Sequence, residues 1–518
     1  LDTVKNGISW RLYNLQASPA NLESLNFAWP IGDLGEVLDI SLGGATIDSK
    51  RIANVEPGKF AVNIGQGESI QVAEQSTLQI SFSRGHRANG GELLQQQDFS
   101  ISASFREDCS VKLLPAYADN QNDFYYATVS AADALHKHGI TGKGVTVAVL
   151  DSGLWEHEKL SKNTAGKARV LARYDAIRDV EGQEVFDESG HGSHMTSIIA
   201  HSGPTLVAGE ATGGYKGIAP DVDLIAIKAF NVEGQGDLLD IVRGIQWAVD
   251  NREKYNIKVL NLSFAARPRW DYWQDPINQA VMRAWASGIT VVAAAGNEGP
   301  DDMTIGSPGN LPYIITVGAF TDSWTVDDRS DDYIPDFSSR GPTPNAHIKP
   351  DIVAPGGHIT GITRPGSTIT QDHPGYALRT GEFVMTGSSQ ASALVSGIVA
   401  LLLQLEPQLS PDDVKCKLTS SAEPAINKDG LLSYSPFQQG HGQVNAVRAV
   451  TLGRTGCANK DLDIEKDISG LEHYQGPAIV VDKGAVRLPG LEKMVSTAPS
   501  EKRSSESSRW GVKAHIER

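Results

Sequence analysis

At 518 residues the chain exceeds one ordinary domain, and its length sets an expectation of about two to four. Apolar residues make up 40% and charged residues 21%, the balance of a soluble globular protein rather than a disordered or membrane-embedded one. A formal charge of −16 argues against a nucleic-acid binder, which would need a basic face to neutralise phosphates, so no nucleic-acid partner is expected.

The longest apolar run, near Val395 to Leu405, is shorter than the roughly 18–20 residues that span a bilayer, so no membrane span is expected. The chain begins at Leu1 without an initiator Met or an apolar signal segment. A secreted protein whose signal segment lies outside this chain is the expectation. Three cysteines, Cys109, Cys416 and Cys457, cannot form a dense disulfide framework. One pair, with Cys416–Cys457 preferred, and three reduced thiols are the two alternatives.

In chain order, residues 1–114 read as all-β. Ile8–Tyr13, Val37–Leu42, Thr77–Phe82 and Phe99–Phe105 alternate in part with a period of two, and Gly, Asn, Pro and Ser clusters such as Gly43-Gly44 and Gly65-Gln66-Gly67 separate them. Short strands at this spacing favour an antiparallel sandwich, here of immunoglobulin-like type, with no catalytic constellation. Contact with a matrix or a substrate is its expected task.

Residues 115–455 change to strand–helix alternation. Val145–Leu150 is a continuous apolar, β-branched run, as a strand buried on both faces requires. Leu224–Ile227, Val259–Leu262 and Thr290–Ala294 repeat it, and Leu238–Asn251 and Pro276–Ser287 carry apolar residues at helical spacing. The pattern predicts an α/β domain with a parallel sheet and helices on both faces. Residues 456–518 lose this regularity and are expected to be an irregular extension, ending in the polar stretch Glu501–Arg509.

Three local motifs carry chemistry. Asp151-Ser152-Gly153 directly follows a buried strand, where open α/β sheets place ligands. His191-Gly192-Ser193-His194 leads into Met195, Ile198 and Ile199, which suggest a helix. Gly387-Ser388-Ser389-Gln390-Ala391-Ser392 leads into the apolar stretch Leu394–Leu405, which places Ser389 at a helix N-terminus beside free backbone N–H groups. A serine hydroxyl is a weak nucleophile unless an imidazole takes its proton and a carboxylate fixes the imidazole's tautomer. Singly each motif is weak; together, in the order Asp…His…Ser, they point to acyl transfer.

This constellation resembles the subtilisin-like serine proteases, the subtilases, over residues 130–450. The likeness extends to Ala293-Ala294-Ala295-Gly296-Asn297-Glu298-Gly299, to Phe337–Pro342 and to Lys349–Gly356. It implies a serine endopeptidase that hydrolyses peptide bonds through an acyl-enzyme. Asp151, His191 and Ser389 would be its triad, and Asn297 would be the oxyanion-hole amide. It further implies a peptide bound as an extended strand between Ser263-Phe264-Ala265 and Gly234-Gln235-Gly236. The primary pocket would be floored by Gly306-Ser307-Pro308-Gly309, with Glu298 at its rim. With no basic residue there, an apolar pocket of broad specificity is expected.

The chain departs from the family pattern at Ser193 and Ser388, each in place of threonine, and at Gln390, where many members carry methionine. Ala393 replaces a common proline and Ala265 a common glycine. A binding protein that keeps the fold, and a peptide ligase suggested by Ala393, are the competing classes. No cofactor is required for the chemistry. Structural calcium is common in the family, but no site is identified here: Ser202–Gly217 does not match the loop that often binds it, and Asp327, Asp328, Asp331 and Asp332 read as a solvated acidic loop.

Overall fold

The computed structural model describes residues 125–496 except 208–209, 323–331, 380, 428, 481–485 and 492, together with the strand residues between 7 and 113 and residues 512–513. Asp327, Asp328, Asp331 and the stretch Glu501–Arg509 lie outside the described residues. The chain divides into two compact units, residues 1–123 with 206–210, and residues 124–205 with 211–518.

The first unit is all-β. Gly7–Tyr13, Gln75–Phe82, Val37–Leu42 and Ala45–Ile47 form one antiparallel sheet in that order. Cys109–Leu113, Ser100–Phe105, Ala20–Ala28, Lys59–Asn63 and Ile52–Glu56 form a second, with Ile70–Val72 also paired to Ala20–Ala28. Register accounts for the buried stripe in the first sheet. Ile40 lies opposite Ile80 and Leu42 opposite Leu78, all four buried, so alternate residues of both strands share one apolar face.

In the second unit a single sheet runs Val180–Glu181, Val170–Asp175, Asp223–Lys228, Thr146–Asp151, Ile257–Leu262, Thr290–Ala294, Ile315–Phe320, Ile352–Pro355. Every pairing is parallel except that of the two-residue edge strand Val180–Glu181. The apolar runs seen in the sequence become its middle strands, and Thr146–Asp151 and Thr290–Ala294 are buried throughout. Helices cover both faces, as side-chain direction shows. Gly244 of the helix Leu238–Asp250 lies so close to Leu150 and Ile227 that a Cβ there would come within 2.8 Å and 3.0 Å of their methyl carbons. On the helix Ser388–Leu405, Ser396 donates instead to Asn261, which pairs with Val149. Leu150 and Val149 are successive strand residues and point to opposite faces, and so do the two helices. Ser388–Leu405 is long and apolar enough to cross a membrane by length and composition alone, but its residues from Ser388 to Leu403 are buried in the core.

Arg169, fully buried ahead of the strand Val170–Asp175, donates to the backbone carbonyls of Leu160, Lys159, Pro220 and Ala200. Burial pushes its guanidinium down to about 10, against the pull of Asp221 and Asp223.

The irregular extension expected from residue 456 is corrected over its first part. Cys457 is joined to Cys416 in a disulfide. The short helix Ile464–Ile468 packs on Pro276–Ala286, and its buried Asp467 accepts from Tyr272 (2.6 Å) and Tyr313 (2.9 Å). One buried carboxylate in a five-residue helix leaves no apolar periodicity to read. The loop Ser202–Gly217 holds a hairpin, Pro204–Val207 with Glu210–Tyr215.

Candidate active site

Asp151 ends its strand at the carboxyl edge of the sheet, and His191 is the first residue of the helix His191–Ala200. His191 Nδ1 lies 2.8 Å from Asp151 Oδ1, with both side chains almost wholly buried. A carboxylate can only accept, so Nδ1 carries the proton and Nε2 is left with its lone pair. Nε2 has no partner among the described residues. The backbone N–H of Ser152 also donates to Asp151 Oδ1 (2.8 Å), fixing the carboxylate's plane.

Two glycines let this approach happen. Gly190 precedes His191 at φ +95°, a region glycine enters without steric cost. A Cβ on Gly192 would fall 2.3 Å from the Gly153 carbonyl oxygen, so only glycine lets helix and turn meet. With glycine at the N-cap no side chain caps the helix from that position, and Asp187 does so instead. Its carboxylate accepts from Gly190 N (2.8 Å), Ser193 N (2.7 Å), Ser193 Oγ (2.6 Å) and Ser152 Oγ (2.8 Å). Ser193 Oγ in turn accepts from Trp155 N (2.8 Å). The hydroxyl is what this position uses, and serine supplies it as threonine does. Sequence reading missed Asp187; the available signal was an acid four residues before a histidine that opens a helix.

Ser389 sits in the first turn of Ser388–Leu405. Its Oγ donates to Ser263 O (2.8 Å), while Ser263 Oγ donates to Ser389 O (3.0 Å). Asn261 and Ser392 extend this polar seam, which pins the helix start to the strand Ile257–Leu262. Asn297 presents Oδ1 to Ser388 N (2.9 Å) and to Ser388 Oγ (3.2 Å), so its NH₂ end is turned elsewhere. Ser388 Oγ also accepts from Gly296 N (3.1 Å). The Asn297 loop is shaped from the other side: Ser339 N donates to Gly296 O, Glu298 N to Ser339 Oγ, and Gly299 N to Phe337 O. That is the structural work of the stretch Phe337–Pro342.

The expected substrate residues gather around this edge. Ala266 and Ser307 exchange both backbone hydrogen bonds, which brings Gly306 against Ala265. Asn231 closes the turn Gly234–Gly236 through its bond from Gln235 N. The rings of Phe230 and Phe264 lie 5.1 Å apart, and a Cβ on Gly236 would meet Phe230. Pro308 follows Ser307 in this buried turn, whereas Glu298 is exposed. Asp332 accepts from Gln443 Nε2 (3.1 Å). Among the described residues there is no cluster of three or more His, Cys, Asp or Glu side chains that could hold a metal.

His194 has a different position from His191. It is buried one helical turn on, with Nε2 3.1 Å from Phe383 O on the strand Glu382–Thr386 that leads to Ser389. Burial pushes it from 6.5 to about 3, with His191 adding to the effect, so it stays neutral. A serine hydroxyl at a helix N-terminus, an imidazole oriented by a carboxylate with Nε2 unpartnered among the described residues, and an amide beside that serine can together carry out acyl transfer.

Comparison with known proteins agrees with this chemistry. The model of the subtilase family, Peptidase_S8, matches residues 142–442. Serine protease AprX of Bacillus subtilis (strain 168) is 38% identical over 316 residues, 60% of this chain and 67% of that protein. An intracellular serine protease of Paenibacillus polymyxa is 31% identical over 314 residues, 58% of this chain and 81% of that protein. Among solved structures, Sphericase overlaps 59% of this chain and 92% of its own at 26% identity, with a TM-score of 0.47.

Proposed function

The chain belongs to the subtilase family and is a serine endopeptidase, and from that premise we propose that Ser389, His191, Asp151 and Asn297 carry the reaction. Ser389 Oγ leaves Ser263 O and attacks the scissile carbonyl, and His191 Nε2 takes its proton. Asp151 holds the imidazole's tautomer and stabilises the imidazolium. The Asn297 NH₂ group and the Ser389 N–H hold the oxyanion. His191 then passes its proton to the leaving amine, and water hydrolyses the acyl-enzyme. The observation that carries the assignment is the 2.8 Å Asp151–His191 contact that leaves Nε2 unpartnered among the described residues.

The peptide would lie as an extended strand along Ser263–Ala265 and Gly234–Gly236. The Phe230–Phe264 contact supports that pairing of segments. The primary pocket would be apolar and would tolerate varied side chains, with Glu298 at the rim. Ala265 narrows it, since a Cβ on Gly296 or Gly306 would stand 3.3 Å or 2.8 Å from the alanine methyl. No cofactor is needed for this chemistry. The disulfide supports an oxidising, extracellular location. The two antiparallel sheets of the first unit support an immunoglobulin-like sandwich, with a matrix or substrate as its partner.

The test is incubation with casein and with a fluorophosphonate, followed by mass-spectrometric mapping. Casein cleavage with labelling at Ser389 alone is expected. Labelling at Ser388, or an active Ser389→Ala variant, refutes the assignment.

A further inference from the structure

The polar groups around the nucleophile are almost all spoken for. Asn261, Ser263, Ser388, Ser392 and Ser396 each make at least one hydrogen bond. Gln390 is the exception. Its side chain is 1% exposed, and neither Oε1 nor Nε2 has a partner among the described residues. It is the one residue there with both side-chain polar atoms buried and unpaired, and it immediately follows Ser389.

Its placement indicates what it faces. A Cβ built on Gly387 would come 2.9 Å from Gln390 Oε1, 3.2 Å from Asn297 Nδ2 and 3.5 Å from Asn297 Oδ1. The two amides therefore converge on the same glycine from different elements, one from the loop after Thr290–Ala294 and one from the first turn of Ser388–Leu405. Asn297 spends its oxygen on Ser388, whereas Gln390 spends neither end. Among the described residues, the other unpaired buried atoms of this site are His191 Nε2, Asp151 Oδ2 and His194 Nδ1.

A buried amide with no partner raises the energy of the free enzyme. That cost favours catalysis when the missing bond forms only with the reacting peptide, because interactions made in the transition state and not before it raise kcat. We propose that Gln390 is a further catalytic residue, whose side-chain amide donates to the reacting carbonyl oxygen beside Asn297 as the oxyanion develops. Rotation about the last side-chain bond, a broad torsion, is all that turns Nε2 to this side. The inference rests on the assignment of Ser389 and Asn297 above.

The experiment compares the full chain with Gln390→Leu and Gln390→Met, which keep bulk and lose both hydrogen-bonding atoms. Each protein is assayed for kcat and KM on a peptide anilide, for fluorophosphonate labelling and for thermal midpoint. The expected result is a fall in kcat of about tenfold or more, equivalent to about 1.4 kcal/mol, with KM changed by less than about twofold. The midpoint should rise, because an unpaired amide has been removed from a buried site. Gln390→Glu, which keeps length but sets a carboxylate beside a developing anion, should lose more than either. Apolar variants with wild-type kcat and a raised midpoint would show that the amide is merely tolerated and overturn the proposal. Absence of labelling at Ser389 in the wild type would overturn the assignment beneath it, and the proposal with it.

Discussion

Two histidine–aspartate pairs in this protein look alike by distance and burial. His191 Nδ1 lies 2.8 Å from Asp151, and His358 Nε2 lies 2.8 Å from Asp322, with all four side chains at most 2% exposed. They differ in what the second ring nitrogen does. In His358 it sits 3.3 Å from Thr321 Oγ1, and the ring stacks on Tyr125 at 4.9 Å, so the imidazole is committed on every side. In His191 the second nitrogen has no partner among the described residues. A buried His–Asp contact is therefore no mark of catalysis by itself; a base also needs the lone pair left over on the second nitrogen.

The sharpest way to break this comparison is to truncate both rings. His191→Ala should lower kcat by about 10⁶-fold while the protein remains folded, if it belongs to the triad proposed above, whose members would act as a unit. His358→Ala should cost about 3 kcal/mol of stability, the effect of orphaning a buried partner, yet leave kcat per folded molecule near wild type. Active-site titration combined with urea unfolding measures both. Equal losses of activity in the two variants would erase the distinction.

A smaller effect tests the neighbouring amide. Asn297→Leu should lower kcat by about 10²–10³-fold with little change in KM, because its NH₂ group would act on the oxyanion and not on the bound substrate. A rise in KM alone would move Asn297 from chemistry to binding.

The last test concerns two histidines that burial keeps neutral near neutral pH. Burial holds His194 near 3 and His347 near 4, so both remain neutral in the folded protein while the unfolded chain binds protons below about pH 6.5. Their contribution to stability is complete above that pH and declines as pH falls toward 4 and then 3. Unfolding free energy should therefore slope downward between pH 6.5 and 4. The His347 ring packs on Tyr272 and bonds Tyr474 O rather than any proposed site residue, so His347→Gln should flatten that slope without altering catalysis at pH 8. An unchanged slope would mean that other groups dominate acid unfolding.

Much of the catalytic unit was legible because its strands are apolar runs buried on both faces, and the motif residues sit at their ends. Asp151, His191 and Ser389 are each placed at a strand end or a helix start, where the sequence reading put them. What stayed hidden depends on polar side chains acting across the chain. Asp187 caps a helix that begins after glycine, and Ser263 reaches Ser389 across 126 positions. Asp467 anchors a five-residue helix too short for periodicity. None of these leaves a repeating pattern, since a single hydrogen bond is set by geometry and not by hydropathy.

The Cys416–Cys457 bond has a consequence particular to an enzyme that cuts polypeptides. The molecule is itself surrounded by copies able to cut it, and the span between the two cysteines, 41 positions apart, carries the exposed residues Asp429 and Gly430. One break inside that span cannot release either piece, because the sulfurs still join the ends. The nicked chain keeps its C-terminal portion tethered, and Asp467 can remain docked between Tyr272 and Tyr313. Damage that would shed a segment from an open chain becomes, in this closed loop, a wound that stays shut.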